Sequence, residues 1–455
     1  MLEHNQGGFM STMDGSDKLE RTLGPLMLWG LGVGYVISGM YFGWNLGLPA
    51  GGTLGLAIAT LFIIVMYVTF TFSYTELACM IPKAGGAFDY ANKALGPNWG
   101  FLGGMAQNIE FIFAPPAIAY AIGAYLNTFV SGDMTLIFAI AAYFIFTGVN
   151  ILGVKVAATF ELIITIIAVV ELLIFAGITL PHFEASNLAI DPLPNGYGGI
   201  FAAIPFAIWF FLAIEGVANV AEETINPQKN VIIGFGSAIL TLVVLCILTF
   251  TSAVGVNGWK QVVYKAGSTE ALDTPLPLAL SHIVGENAFL LHLLVWVGIF
   301  GLVASFHGII LAAGRSTFEF GRVGYAPRIL GKTHKKFHTP AVALIVNMVI
   351  GIIALFTNKT GEIITIACFG ALSLYIISMV SLFKLRKDQP NMDRPFKVPF
   401  YPIFPALALI IATVALVAMT WYNKGLSLFF YGLMFVSFLW FKFFVKEETK
   451  QLATA

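Results

Sequence analysis

Long apolar stretches alternate with short polar connections along almost the whole chain. Runs close to the ~20 apolar residues that a helix needs to cross a bilayer recur from Pro25 to Val445. This pattern predicts twelve membrane-spanning helices with no soluble domain between them. The predicted spans are 25–47, 53–78, 99–128, 134–152, 155–180, 198–221, 230–256, 285–313, 340–358, 361–384, 399–421 and 425–445.

Composition supports the same interpretation. Hydrophobic residues make up 58% of the 455 residues and charged residues only 11%, whereas soluble domains carry about 25% charged residues. The net charge is zero, which favours neither nucleic acid nor an acidic ligand. Cys79, Cys246 and Cys368 are too far apart for a disulfide framework or a metal-ligand spacing, so we expect no metal and no cofactor.

Lysine and arginine in the short connections predict the orientation, because cytoplasmic loops carry an excess of both. One side of the membrane holds most of them, and the other side holds only Lys260, Lys265, Lys359 and Lys424. Both termini are therefore predicted to be cytoplasmic, as tails over 1–24 and 446–455. We expect a multi-pass protein of the cell membrane.

The first span is unusually rich in glycine. Eight glycines lie in Gly30–Gly52, although glycine destabilises a helix interior by roughly 1 kcal/mol relative to alanine. Four of them, spaced by four from Gly39 to Gly51, form a smooth ridge on one helical face. Two interpretations stay open: close helix packing alone, or a helix broken near Ile37–Met40 whose backbone groups face a cavity.

The sixth span has its own interruption. Glu215 and Gly216 lie in its middle third, and a carboxylate inside a membrane is a functional-site hypothesis because its burial is costly. Interrupted helices at matching places in two halves are typical of transporters built from inverted repeats. The pattern predicts one repeat over 25–180 and a second over 198–384, followed by accessory spans over 399–445.

Four ordered motifs carry a family resemblance. They are YTELACMIPKAGGAFDYANKALGP (74–97), NILGVKVAATFE (150–161), FLAIEGVANVAEETINPQKNV (211–231) and AAGRSTFEFGRVGYAPRILGKTHKKFHTPAVAL (312–344). Together they resemble the amino acid–polyamine–organocation (APC) superfamily of secondary transporters over nearly the whole chain. The likeness is closest to the ethanolamine permease branch, through GVGYVISGMYFGWNLGLPAGG and IEGVANVAEETINPQKN.

The resemblance implies an all-α integral membrane fold. Twelve transmembrane helices would form a five-plus-five inverted repeat like that of the bacterial leucine transporter, with helices 1 and 6 discontinuous. It also implies a secondary active transporter that imports ethanolamine or a similar small amine by alternating access. An amino acid permease or exchanger of the same superfamily is the alternative.

One position departs from the pattern of the amino acid transporters. Those members use a GSG motif in span one, whose backbone amides bind the substrate carboxylate, and Ile37, Ser38 and Gly39 match it here. Ile37 replaces the first glycine. Because a β-branched residue resists the unwound geometry that creates an amide nest, this replacement counts against carboxylate binding.

A small protonated amine needs a negative group and a cover. Glu215 is the first candidate for the charge, with capping of broken backbone as the alternative. Glu110 is a second buried carboxylate, for which a helix-bridging hydrogen bond is the alternative.

In the superfamily's arginine–agmatine exchanger the tryptophan matching Trp209 covers the substrate, which implies an aromatic lid here, flanked by Phe210. Three tyrosines offer a hydroxyl or an aromatic wall, with core packing as the alternative: Tyr41, Tyr120 and Tyr375.

Lys155 bears on the coupling ion. The matching lysine of the superfamily lies where sodium-coupled relatives bind an ion, so the resemblance implies proton coupling rather than sodium coupling. The alternative is a lysine that extends to the cytoplasmic interface.

His307 lies mid-span and is either a proton relay or a hydrogen-bonded core residue. Charged residues near cytoplasmic span ends are either gate salt bridges or solvated interface charges: Glu76, Glu222, Glu223, Arg315 and Glu319.

Other function classes lack their signatures. The spans contain no clustered nucleophile–base pair and no paired-histidine metal motif, which argues against an intramembrane enzyme. A transporter-like sensor usually needs an output domain, and none is visible. We expect a small-molecule substrate and the lipid bilayer as partners, with no nucleic acid and no obligatory protein partner.

Overall fold

The computed structural model describes residues 21–83, 85–286 and 288–452. Within these ranges the chain is helical, with isolated β-bridges and no β-sheet. The α-helices are α1 (Pro25–Tyr41), α2 (Leu48–Met80), α3 (Ala87–Leu95), α4 (Pro97–Asn127), α5 (Thr135–Leu152), α6 (Val154–Thr179), α7 (Ala185–Leu188), α8 (Gly196–Ala202), α9 (Ile204–Trp209), α10 (Pro227–Asn257), α11 (Lys260–Val263), α12 (Pro275–Val284), α13 (Phe289–Arg322), α14 (Ala341–Leu355), α15 (Thr360–Asp388), α16 (Ile403–Tyr422), α17 (Lys424–Phe444) and α18 (Glu447–Leu452). The 3₁₀ segments are Trp44–Gly47, Leu180–His182 and Ile214–Glu223.

The helices have membrane dimensions. Among the described residues, ten helices are long and apolar enough to cross a bilayer, so the chain is a multi-pass membrane protein. The other two predicted spans, the first and the ninth, correspond to the shorter apolar helices α1 and α14, of 17 and 15 residues. The count of twelve spans therefore stays a prediction.

The first predicted span is interrupted later than the sequence indicated. α1 runs without a break through Ile37–Met40 and ends at Tyr41. Phe42 is then extended (φ −161°, ψ 174°), and Gly43 has a φ of 87°, which glycine adopts at no steric cost. The prediction of a break near Ile37–Met40 is thus wrong. The helix continues through these positions because Ile37 is fully buried within it. The chain turns only at Gly43, the first glycine after Ile37 that has a positive φ.

The glycine ridge also permits close packing. A Cβ on Gly39 would clash with the backbone carbonyl oxygen of Trp209, and one on Gly43 would clash with the Trp209 indole. Close packing and a helix break are therefore both present, because the ridge brings α1 against the backbone of the α9 region and also supplies Gly43, where the chain breaks instead of at Ile37–Met40.

The sixth predicted span is interrupted as well. α9 ends at Trp209, Ala213 is left-handed with a φ of 75°, and the chain continues as the 3₁₀ segment Ile214–Glu223. A left-handed alanine is strained, so the surrounding contacts must hold it. This segment is central: 94% of the most apolar window of Ile204–Glu223 is buried, against 17% for α17 at the periphery.

Helix α1 lies among the other core helices. It packs against α6, α10 and α13, while α4 packs against α13 and α15 on the other side of the broken segments. The outer faces of α16 and α17 carry exposed apolar side chains such as Val417, Trp421 and Phe435, as expected for contact with lipid.

Glu76 ties three parts of the chain together at the end of α2. Its carboxylate is fully buried and accepts hydrogen bonds from Arg386 Nε and Nη2, both at 2.7 Å, and from the Val398 backbone N–H at 2.7 Å. Arg394 Nε lies 3.4 Å from the same carboxylate. These bonds join α2 to α15 and to the segment that leads into α16.

We expect Glu76→Gln to destabilise the fold by about 3–5 kcal/mol, because removing one partner of a buried ion pair leaves the other charge uncompensated. Thermal unfolding in detergent measures the effect. The matched control is Glu362→Gln, which breaks an exposed pair with Lys359 (2.8 Å) and costs about 0–1 kcal/mol. Equal shifts in the two variants would contradict a stabilising role for Glu76.

Candidate functional site

The two helix breaks lie against each other. The rings of Phe42 and Trp209 meet edge to face with centroids 5.4 Å apart, and Trp44 stacks on Phe210 at 5.7 Å. Gly39 allows the backbones to approach, since its Cα faces the carbonyl oxygen of Trp209. The predicted neighbours Gly39, Trp209 and Phe210 are thus brought together.

A pair of carboxyl groups, Glu110 and Glu215, lies at this junction. Both residues are fully buried. Glu110 Oε1 accepts a hydrogen bond from the Ala213 backbone N–H at 3.1 Å, which holds the left-handed residue in place. Glu215 Oε2 accepts from the Tyr375 hydroxyl at 2.9 Å, and the two carboxyl groups lie close enough to hydrogen-bond to each other. Such a bond needs one protonated carboxyl group as its donor, and a pair joined in this way carries at most one negative charge.

Both alternatives raised for these glutamates are present in part. Glu110 does bridge helices, from α4 to the broken segment, as its hydrogen-bond alternative stated. Glu215 does lie beside broken backbone, in the first turn of the 3₁₀ segment. Neither contact uses the whole carboxyl group, because Glu110 Oε2 and Glu215 Oε1 accept no hydrogen bond from any other described residue. Each carboxyl group of the pair therefore keeps one oxygen that no other described residue occupies.

Aromatic side chains enclose the pair. The hydroxyls of Tyr375 and Tyr67 lie 3.1 Å apart, and the Tyr67 ring is 5.3 Å from that of Phe211. Phe70 packs on Tyr375 with centroids 4.1 Å apart. Tyr375 was one of three tyrosines that the sequence could not rank, and Tyr67 was missed because it stands in a uniformly apolar stretch with no signal of its own.

The backbone around the site favours positive charge. The C-terminal end of α1 directs carbonyl groups toward the junction, and a helix C-terminus carries a partial negative charge. Two of these carbonyls already accept hydrogen bonds, at Met40 from Trp44 Nε1 (3.1 Å) and at Tyr41 from the Tyr125 hydroxyl (2.9 Å). Together with the carboxyl pair, this end creates an environment for a cation rather than for an anion.

The indole of Trp209 has a free donor. Trp209 is buried, and its Nε1 has no hydrogen-bond partner among the described residues. Gly43 lies directly beside it. A buried N–H without a partner is costly, so this group is available to a ligand oxygen.

Three predicted site residues are not brought to the carboxyl pair. Ile37 and Ser38 lie inside α1, and Ser38 donates to Ser305 Oγ on α13 at 2.8 Å. Tyr41 donates to Glu171 Oε2 on α6 at 2.6 Å and to the Ala168 carbonyl at 3.0 Å. Their side chains thus join α1 to its neighbours. They do so because α1 stays helical through these positions.

Lys155 falls within α6, near its start, but its side chain lies outside the described part of the chain. Its predicted coupling role is therefore not tested by the structure.

The predicted gate residues form ion pairs. Arg315 on α13 and Glu223 are both buried and meet through Nε–Oε1 at 2.7 Å. Glu222 lies 3.7 Å from Arg322, which also pairs with Glu319 at 2.7 Å. Arg315 thus pairs with Glu223 rather than with Glu222. Opening and closing of these pairs stays a prediction.

A cavity of about 520 Å³ lies beside the first break. Its lining includes Leu46, Asp273 and Thr360, and Thr360 donates to Asp273 Oδ2 at 2.8 Å. Asn45, next to the break, donates to the Leu272 carbonyl at 2.8 Å. Burial of the carboxyl raises the pKa of Asp273 to about 6, so this acid still carries a negative charge at neutral pH. Asp273 was missed because the long 257–284 connection shows no motif.

The comparisons agree with a multi-pass membrane fold. The sequence profile of the amino acid permease family matches residues 23–445. An uncharacterized transporter of Rhizobium meliloti (strain 1021) is 28% identical, with 94% of this chain and 92% of that protein covered. The branched-chain amino acid permease BcaP of Bacillus subtilis (strain 168) is 25% identical, over 90% and 91% of the two chains.

The methylthioribose transporter of Bacillus subtilis (strain 168) is 26% identical, with 88% of each chain covered. The family match spans nearly all the helices described above, and the relatives are transporters rather than enzymes. This chain therefore belongs to the amino acid permease family of the APC superfamily and is a multi-pass membrane transporter of small molecules.

Proposed function

We propose that the protein imports ethanolamine or a similar small amine across the cell membrane by alternating access. The buried Glu110–Glu215 pair carries this proposal. With one shared proton the pair has a single negative charge, which balances a single ammonium group. An unpaired charge at this depth would be costly, so pair and substrate stabilise each other.

The surrounding groups fit the remaining chemistry of such an amine. The Trp209 ring offers a face to the ammonium, and a cation over an indole gains about 0.5–2 kcal/mol. The free Trp209 Nε1 can donate a hydrogen bond to one alcohol group, and the Tyr67 hydroxyl, which donates to Tyr375, can accept one from it. We assign binding of the ammonium group to Glu215 and Glu110, and the aromatic lid over it to Trp209 with Phe210. The polar groups named above would bind the alcohol.

The proposed architecture is that of a five-plus-five inverted repeat over 25–180 and 198–384, with accessory spans over 399–445. The breaks at Phe42–Gly43 and at Ala213, in the first span of each half, support it. The distribution of lysine and arginine supports cytoplasmic termini. In this orientation the 520 Å³ cavity faces outward, and the Arg315–Glu223, Arg322–Glu222 and Arg386–Glu76 pairs close the cytoplasmic side.

Transport of an amino acid is the second candidate, and the resemblance to a branched-chain amino acid permease favours it. The ammonium of an amino acid suits the carboxyl pair equally well. Its carboxylate, however, needs donors, and the α1 end presents carbonyls whereas Trp209 Nε1 presents one N–H. A relative of similar identity is named for methylthioribose, a solute that is not an amino acid, so family membership does not decide between the candidates.

A competition assay separates the two. Purified protein in liposomes is expected to take up labelled ethanolamine, and unlabelled ethanolamine should compete better than leucine, serine or arginine, because the site has one negative charge and few donors for a carboxylate. Stronger competition by an amino acid would favour the second candidate.

We expect Glu215→Gln to weaken amine uptake roughly 30-fold or more, because loss of a buried charge partner costs about 2–5 kcal/mol. Initial uptake rates at several concentrations measure the change. Tyr375→Phe removes only the donor to Glu215 and should have a smaller effect of about 3- to 10-fold. Tyr325→Phe is the matched control, since Tyr325 is also buried but packs in the separate aromatic cluster with Phe441. Normal uptake by Glu215→Gln would remove this residue from the site.

We expect Asp273→Asn to raise the KM for amine about two- to five-fold at neutral pH with little change in kcat, as for loss of a partly exposed charge. The physical reason is that Asp273 attracts the cation into the outer cavity without contacting it at the carboxyl pair. The control is Asp388→Asn, which removes an acid that pairs with Lys384 at the far end of α15. A change in kcat alone would contradict a role in entry.

A further inference from the structure

A second buried acid–base pair lies apart from the carboxyl pair. Glu161 on α6 and His307 on α13 are both fully buried, and Glu161 Oε2 is 2.8 Å from His307 Nδ1. The other two polar atoms, Glu161 Oε1 and His307 Nε2, have no hydrogen-bond partner among the described residues. Ionisable groups at membrane depth are costly and mark proton and ion pathways, so this pair calls for a function.

The pair has two charge states that differ by one proton. When neutral His307 donates from Nδ1 to ionised Glu161, the net charge is −1. Addition of one proton from water gives a net charge of zero, as either an imidazolium–carboxylate pair or a carboxylic acid that donates to the imidazole. Glu161 Oε1 and His307 Nε2, which have no partner among the described residues, are the atoms free to accept it.

Among the residues whose side chains are described, few other ionisable groups lie in the immediate surroundings. Tyr35 on α1 faces the pair, with its hydroxyl unpartnered and its ring between the backbones of Gly216 and Gly308. On α5, the Phe146 ring packs on His307, and Asn150 donates to the His307 carbonyl at 3.1 Å. Phe160 of α6 covers the imidazole from another side, with centroids 5.4 Å apart.

The next charges in this direction are Arg315 of α13 and Glu223, which pair with each other. Tyr35 lies within electrostatic reach of Glu161 as well as of this ion pair. Tyr35 is thus the polar group that senses both the Glu161–His307 pair and the proposed cytoplasmic gate. The side chain of Lys155, on the same helix as Glu161, lies outside the described part of the chain.

Helix α1 connects this pair to the substrate site. Gly34 lies directly against Glu161 Oε1 and Thr165, and Thr165 donates to the Gly30 carbonyl at 3.2 Å. The break at Gly43 is nine residues further along, or about 13 Å at the helical rise. Any displacement of α1 that opens or closes the substrate site therefore also changes the cover over Glu161.

From this geometry we propose that the Glu161–His307 pair binds the coupling proton of the transport cycle. The inference rests on the proposed function. The pair is neutral while α1 seals it, because a buried net charge would be costly. In the outward-open state the pair takes up one proton from the outer solution. When α1 moves and the Arg315–Glu223 gate opens, water reaches the pair through Tyr35 and this proton leaves to the cytoplasm. One proton then moves inward with each amine.

The test compares net transport with exchange in proteoliposomes. An inside-alkaline gradient of one pH unit, with the membrane potential clamped to zero, supports at most about tenfold accumulation for one proton per amine. Labelled ethanolamine is the probe, and protein-free liposomes correct for leak of the free base. Counterflow of the same amine without a pH gradient measures substrate binding and the movement of α1, and it does not depend on proton coupling.

We expect Glu161→Gln and His307→Gln to lose the gradient-driven accumulation and to keep counterflow within about twofold of the wild type. Glutamine resembles the protonated acid, so Glu161→Gln holds the pair neutral. Thr165→Val is the local control, because it disturbs the same α1–α6 contact without removing a titratable group, and it should still accumulate amine. Retained counterflow also shows that each variant is folded.

The outcomes separate the two proposals. Accumulation by Glu161→Gln equal to that of the wild type overturns the proton site, as does wild-type accumulation that ignores the pH gradient, while the amine transporter stands. Loss of accumulation in Lys155→Ala with normal accumulation in Glu161→Gln also overturns it. Wild-type protein that moves no amine in counterflow overturns the proposed function and this inference together.

Discussion

The structure depends on how a low-dielectric bilayer treats charge and free backbone. A membrane helix that breaks must find partners for its freed groups, and a buried carboxylate must share its charge. Both needs are met at one place, where Glu110 accepts from the Ala213 backbone and lies against the carboxyl group of Glu215. The hydrogen bond from Ala213 to Glu110 thus stabilises the second break. It also fixes the position of the carboxyl pair, where the charge of a cation could be compensated.

Helix α1 contacts both the proposed substrate site and the Glu161–His307 pair. Glycines allow its backbone to approach Trp209 at one end and Glu161 at the other, with no side chain between. Close packing of this kind has few intermediate arrangements, since interiors are nearly as dense as crystals. A shift of α1 is therefore felt at both ends together, which is what coupling requires.

The sequence predicted what depends on local pattern. Hydrophobic runs predicted the helices, and Glu215 stood out as a charge within a span, whereas Trp209 was singled out by the family resemblance. The first break was placed wrongly, because which of several glycines turns the chain depends on Trp209 from a distant segment. Tyr67 was missed for a similar reason, since only the fold places its hydroxyl 3.1 Å from Tyr375. Glu161 could have been found from its charge within a predicted span, but its partner His307 lies 146 residues away.

Substrate choice in such a site is a matter of charge balance more than of family. A carboxyl pair with one proton tolerates one positive charge and disfavours a second, because the second would have no buried partner. The carbonyls at the end of α1 add to this preference and weaken binding of a carboxylate. A relative that replaced Ile37 by glycine would gain the option of unwinding earlier and presenting amides instead. Under the proposed function, small changes at the end of α1 would redirect the same fold from amines to amino acids, since they would exchange acceptors for donors at the proposed substrate site.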